Sequence, residues 1–104
     1  MKAVFKADGK ILTAVLSGEL DHHAAGDLTD KIMDKISAYL PRDFILDMRG
    51  VTFMDSSGIA IVLRTYRKMN GIGGRLRVEN VGKQPMHVFD AAGIDRIINL
   101  EAAV

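Results

Sequence analysis

The chain lacks several features that would have assigned it to a class at once. It has 104 residues and no cysteine, which excludes disulfide bonds and thiolate chemistry. No stretch approaches the roughly 18 consecutive apolar residues of a membrane-spanning helix. The amino terminus also lacks the apolar stretch of about 7–15 residues that marks a secretory signal. From these absences we expect a soluble, cytoplasmic protein.

An excess of one charge is also missing. Fourteen basic residues face thirteen acidic ones, which gives a formal net charge of +1. No run of Lys or Arg has the density that is typical of proteins that hold nucleic acid phosphates. We therefore expect no direct contact with nucleic acid and no attachment to a membrane. What is present is the composition of a globular domain, with 48% hydrophobic and 26% charged residues.

The first part of the chain is patterned as a β-hairpin followed by a helix. Short apolar runs at 3–6 and 11–16 flank Asp8-Gly9-Lys10, and an Asp-Gly turn between such runs is typical of a hairpin. The polar stretch 17–28 is interpreted as a loop. An amphipathic helix that ends at Pro41 is then predicted from apolar residues at four-residue steps, which are Leu28, Ile32, Ile36 and Leu40.

The rest of the chain alternates strands with helices. A buried strand is predicted at 44–46, and a helix is predicted from Ile59, Val62, Leu63 and Tyr66. Residues 76–78 are predicted as a strand, 85–92 as a helix that Gly93 closes, and 97–100 as a final strand. The order β-β-α-β-α-β-α-β predicts one α/β domain over residues 1–104. Its sheet is expected to be mostly parallel, to open with an antiparallel hairpin and to be covered by helices.

The segment TFMDSSGIAIVL, residues 52–63, places an acid, two hydroxyls and a glycine between two apolar runs. In a parallel sheet, the loops that follow the strands meet along one edge. The loop 17–23 and the loop 54–58 are therefore expected to lie side by side. Glu19 and Asp21 would then share a surface with the hydroxyl groups.

Two roles remain open for Asp55-Ser56-Ser57-Gly58 from the residues alone. An Asp or Ser before an apolar helix accepts a hydrogen bond from an otherwise unpaired N–H group, so capping explains one polar residue. It does not explain three in succession. A spare serine hydroxyl at a helix start is well placed to carry a phosphate, because the helix dipole favours negative charge there.

The sequence argues against catalysis and against a metal site. A serine hydrolase built on Ser56 would show a Gly-x-Ser-x-Gly elbow, but the leading glycine is missing, and the only later histidine, His87, falls near the start of the third helix. His22 and His23 are adjacent, so their side chains diverge and match no closed set of metal ligands. The glycines at 71–74 lack the ending of a P-loop. We expect no catalytic residue, metal or cofactor.

Three segments resemble the STAS domain family: LSGELDHHAA at 16–25, LDMRGVTFMDSSGIAIVLRTYR at 46–67 and VFDAAGIDRIINL at 88–100. More narrowly, the sequence is similar to the bacterial anti-sigma factor antagonists of the sporulation type. The resemblance covers nearly the whole chain in the family's order. The pairing of GELDHH with FMDSSG is its most specific part.

The resemblance implies a regulator that is a substrate and a binding module rather than an enzyme. It implies that Ser56, which follows the aspartate of the D-S-S-G motif, is the phosphorylation site. The unphosphorylated protein would bind an anti-sigma factor that is also an ATP-dependent serine kinase, and this binding would release the sigma factor. Phosphorylation would end the binding, and a serine phosphatase of the PP2C type would restore it.

The resemblance and the two loops together predict a partner-binding surface. Its residues are Glu19, Asp21, Asp55, Ser56, Ser57 and Gly58. Gly58 is expected to let the partner approach the backbone closely, and Ser57 is expected to act as a helix-start residue. The free protein is expected to be a monomer. A STAS-type sensor that binds a nucleotide or another small ligand at the same edge is the alternative.

Overall fold

Apolar spacing and turn chemistry set the order of the elements. In the computed structural model, which describes residues 1–104, the strands are β1 Lys2–Asp8, β2 Ile11–Leu20, β3 Asp43–Met54, β4 Arg75–Val81 and β5 Asn99–Ala102. The helices are α1 His22–Tyr39, α2 Ser56–Gly71 and α3 Lys83–Ala91, and a 3-10 turn covers Ile94–Arg96. The predicted order β-β-α-β-α-β-α-β is confirmed. None of the helices is long and apolar enough to cross a bilayer.

The five strands form one sheet in chain order, which leaves one face of the sheet without helices. β1 pairs with β2 antiparallel, and all the other neighbours are parallel. Because parallel crossovers are right-handed and each one steps in the same direction, the three helices lie on the same face. A single buried cluster joins side chains of all three helices to alternate residues of β2, such as Leu12, Ala14 and Leu16. The predicted mixed sheet, opened by a hairpin, is confirmed.

Strand β2 is longer than predicted. Residues 17–20, which were expected in a loop, continue the strand and pair with the end of β3 after two shifts in register. Gly18 adopts a left-handed φ of 100° beside the second shift, a conformation that is readily open to glycine. The loop prediction is wrong, because β3 is available as a parallel partner for residues 17–20 and because residues 22–28 form the first turns of α1.

Two predicted helix and strand ends are also corrected. Leu40 does not belong to the buried face of α1: its side chain is 59% exposed, and its left-handed φ of 50° ends the helix. Its N–H group still donates to the carbonyl of Ile36, at 2.8 Å. The last strand begins at Asn99, because the preceding 3-10 turn directs Ile98 into the core and leaves Ile97 exposed.

Asp47 is a buried carboxylate in the middle of β3, on the face without helices. Its Oδ2 accepts from Nε of Arg49 at 2.8 Å, and its Oδ1 accepts from Nδ2 of Asn80 at 3.0 Å. Burial opposes ionisation, but the hydrogen bonds from Arg49 and Asn80 outweigh it and hold the pKa of Asp47 below its ordinary value. The folded protein therefore favours the ionised carboxylate.

We predict that Asp47 makes the fold sensitive to acid. Its contribution is fully present above the ordinary aspartate pKa of 3.8 and is lost as the pH falls through the lower pKa of the folded state. Asp47→Asn should lower the free energy of unfolding at neutral pH by about 1–3 kcal/mol, because hydrogen bonds to a charged acceptor are weakened. It should also flatten the loss of stability in acid. Urea denaturation at several pH values measures both effects, and an unchanged pH slope in the variant would contradict the prediction.

Candidate functional site

The ends of β2 and β3 bring the two predicted polar segments together. Glu19 pairs with Phe53 across the two strands. One residue beyond β3, the N–H group of Asp55 donates to the carbonyl of Leu20 at 3.2 Å. The predicted adjacency of the two segments is confirmed.

Asp55 caps two helices with one carboxylate. Its Oδ1 accepts from the N–H of Ser57 in the first turn of α2, at 2.8 Å. Its Oδ2 accepts from the N–H of His22, the first residue of α1, at 3.3 Å. The bond from Ser57, supported by that from His22, holds the pKa of Asp55 below its ordinary value. The carboxylate therefore stays ionised where the positive ends of two helices meet.

Asp21 and Glu19 differ in how they are tied to the fold. Asp21 is the N-cap of α1, and its Oδ1 accepts from the N–H of Ala24 at 3.1 Å. Glu19 is exposed near the end of β2, and its carboxylate makes no hydrogen bond or ion pair within the chain. Asp21 thus has a structural role, whereas Glu19 is available for contact with another molecule.

The two serines also differ. Ser57 is half-buried, and its N–H group is bound to Asp55. Ser56 is the first residue of α2, its side chain is exposed, and its hydroxyl makes no hydrogen bond with the rest of the chain. Capping therefore falls to Asp55, and the Ser56 hydroxyl is unengaged at the positive end of α2.

Gly58 is buried rather than open to a partner. A β-carbon at this position would overlap Cγ and Sδ of Met54 and would lie 3.2 Å from Cδ2 of Leu20. The reason predicted for this glycine, close approach by a partner, is therefore wrong. Its missing side chain lets α2 pack against the ends of β2 and β3.

Two residues that the sequence analysis did not single out border the site. Phe53 lies beside Glu19 with 42% of its surface exposed, which is unusual for an aromatic side chain in a strand. Strand alternation next to the buried Met54 could have indicated that Phe53 points outward. Gln84, in the first turn of α3, hydrogen-bonds the backbone of Met54. No local sequence signal indicates that contact, because it depends on where α3 packs.

The histidines lie outside hydrogen-bonding contact with Ser56. His87 is on α3, where it lines a groove with Ile59 and Val88. The rings of His22 and His23 meet edge to face, with their centroids 6.2 Å apart. No three His, Asp or Glu side chains are grouped so as to hold a metal ion. The geometry at Ser56 is an exposed hydroxyl beside carboxylates.

Comparison with known proteins gives the family. The model of the STAS domain matches residues 2–104. The chain belongs to the STAS domain family. Among the relatives of this STAS protein, the anti-sigma F factor antagonist of Paenibacillus polymyxa is 31% identical over 88 residues, which are 85% of this chain and 75% of the relative. The anti-sigma F factor antagonist of Lysinibacillus sphaericus is 35% identical over 79 residues, 76% of this chain and 68% of the relative.

Solved structures share the fold of this STAS protein. The anti-sigma factor antagonist SpoIIAA in its unphosphorylated form superposes with a TM-score of 0.83 and 27% identity, over 95% of this chain and 87% of that one. SpoIIAA of Bacillus in the phosphorylated form gives a TM-score of 0.74 with 27% identity, over 95% of this chain and 90% of that one.

We predict opposite effects of alanine at two helical glycines of this STAS protein. Gly58→Ala should lower the free energy of unfolding by about 1–3 kcal/mol, because its methyl group overpacks the contact with Met54. Gly26→Ala is the matched control: Gly26 lies in α1 with nothing within 4 Å of an added β-carbon, so alanine should stabilise by roughly 0.5–1 kcal/mol. Urea denaturation of the two variants gives both values. Equal effects would mean that Gly58 is not a packing residue.

Proposed function

We propose that this STAS protein is an anti-sigma factor antagonist whose binding is switched off by phosphorylation of Ser56. The observation that carries the proposal is the state of the Ser56 hydroxyl, which is exposed and unengaged at the start of α2. The family and two relatives named anti-sigma F factor antagonist support it. SpoIIAA has been solved in both an unphosphorylated and a phosphorylated form, which supports a switch of this kind.

The proposed cycle involves three other proteins, two of which act on this one directly. The unphosphorylated protein binds an anti-sigma factor in the cytoplasm, and the sigma factor that controls sporulation genes is released. The anti-sigma factor is also a serine kinase that phosphorylates Ser56, after which the complex dissociates. A serine phosphatase of the PP2C type removes the phosphate and restores binding. In this cycle the protein regulates transcription as a substrate and binding module, and it does not act as an enzyme.

The proposed binding surface combines negative charge with one aromatic side chain. Glu19 and Asp55 supply carboxylates at the same edge of the sheet as the exposed hydroxyl, which suits a partner with basic groups. Phe53 adds apolar area next to Glu19, and exposed aromatic side chains are common anchors in protein interfaces. Ser57, Asp21 and Gly58 shape this surface by fixing the two helix ends.

Phosphorylation is proposed to act at the interface rather than on the fold. A phosphate on Ser56 adds a charge of about −1.5 to −2 at neutral pH. At the helix start the dipole offsets part of the repulsion from Asp55, by about 0.3–1 kcal/mol. In a closed interface the same group adds bulk and places like charges together, which costs several kcal/mol. Phosphorylated SpoIIAA still superposes on this fold, which supports an effect that leaves the fold in place.

The assignment of Ser56 is tested by phosphorylation with the anti-sigma factor kinase of the source organism and ATP. Mass spectrometry should locate one phosphate on Ser56 in the wild type and in the matched control Ser57→Ala, and none in Ser56→Ala. Ser56→Ala should keep binding the kinase, whereas Ser56→Asp should bind at least tenfold more weakly because of its added charge. Phosphate on Ser57 would refute the assignment, and tight binding by the Asp variant would contradict the proposed clash at the interface. Ester hydrolysis that is lost in Ser56→Ala would favour a hydrolase instead.

The role of Phe53 is tested by truncation. Phe53→Ala should weaken binding to the anti-sigma factor about tenfold or more, because an exposed aromatic anchor is lost. Leu40→Ala is the matched control, since Leu40 is an exposed apolar residue at the opposite end of α1 from the site. Isothermal titration calorimetry gives both affinities. If the two variants bind equally well, Phe53 lies outside the interface.

A further inference from the structure

Strand β3 extends beyond its neighbour on one side. Its pairing with β4 ends at Asp47, opposite Glu79, whereas its pairing with β2 continues to Met54. Residues 48–54 therefore have no strand on the β4 side. Backbone N–H and C=O groups along such an edge need other partners when they are shielded from water.

The side chain of Gln84 supplies these partners at Met54, which is fully buried. Its Oε1 accepts from the N–H of Met54 at 2.8 Å, and its Nε2 donates to the carbonyl of Met54 at 2.7 Å. A primary amide has one acceptor oxygen and an NH₂ donor group, so it can satisfy both backbone groups of one residue. In a sheet, a neighbouring strand would make these two bonds.

The position of this contact matters because Met54 is followed directly by Asp55 and Ser56. On the opposite side, the N–H of Asp55 is bound to the carbonyl of Leu20 in β2. The segment that leads into Ser56 is thus held from two sides, by the backbone of β2 and by the side chain of Gln84. Gln84 itself is fixed by α3, whose Phe89 is fully buried in the core.

We infer that Gln84 is a positioning residue that takes the place of a β4 backbone and fixes the conformation in which Ser56 is presented. The consequence for signalling rests on the proposed function, whereas the two hydrogen bonds do not. Without Gln84, the N–H and C=O of Met54 lose their partners on this side. The segment 54–57 then opens locally while the core stays packed.

Amide hydrogen exchange measured by NMR tests the contact without any partner. Gln84→Leu keeps a side chain of similar size but removes donor and acceptor, so exchange at Met54 N–H should accelerate at least tenfold. Gln84→Glu keeps an acceptor for the N–H of Met54, but an ionised carboxylate cannot donate to the carbonyl of Met54. Exchange at Met54 N–H in this variant should therefore lie between that of the wild type and that of Gln84→Leu. Lys83→Leu, at the neighbouring exposed position, is the matched control and should leave exchange at Met54 unchanged. In all variants Val78 in the core should keep its protection.

Phosphorylation kinetics test the consequence for Ser56. Gln84→Leu should lower kcat/KM for phosphorylation of Ser56 several-fold, with a smaller loss in Gln84→Glu and none in Lys83→Leu. Unchanged exchange at Met54 in Gln84→Leu, or equal acceleration at Val78, would overturn the positioning role. If Gln84→Leu accelerates exchange at Met54 but leaves kcat/KM unchanged, Gln84 does not control how Ser56 is presented to the kinase. A wild type that is not phosphorylated at Ser56 would refute the proposed function, and the exchange data would still decide whether Gln84 holds the segment.

Discussion

The carboxylate of Asp55 joins the start of α1 to the start of α2. The edge of the sheet that carries Ser56 depends on this junction. Because it accepts one N–H group from each helix, neither serine is needed as a cap. The same negative charge lies next to Ser56, so a phosphate there has to point away from Asp55 and towards solvent or a partner. The carboxylate of Asp55 thus decides both which serine hydroxyl is free of a capping role and where the charge of a phosphate would meet repulsion.

Local patterns were sufficient to predict the order of the elements and the meeting of the two polar segments. The Asp-Gly turn and the four-residue spacing of Leu28, Ile32 and Ile36 act within a few residues, so they can be seen in the sequence. The strand state of residues 17–20 could not be seen, because it comes from pairing with β3. The packing of Gly58 and the reach of Gln84 depend on tertiary neighbours, and the sequence carries no local trace of them.

The two faces of the sheet have different physical tasks. One face buries apolar side chains under the three helices, which fixes the fold. The other face has no helix, yet it holds the buried Asp47, whose charge is paired with Arg49 and which also accepts a hydrogen bond from Asn80. β4 leaves the pairing with β3 at this point, so the polar cluster marks the boundary between the fully paired sheet and the segment that leads to Ser56.

The extension of β3 beyond β4 also affects which properties of such a protein a single substitution can change during evolution. A backbone ladder is kept by almost any sequence that adopts the fold, because its donors and acceptors belong to the main chain. Support from one side chain, as at Gln84, can be strengthened, weakened or lost by a single substitution while the core stays unchanged. The conformation of the segment that leads into Ser56 can therefore drift independently of the stability of the domain.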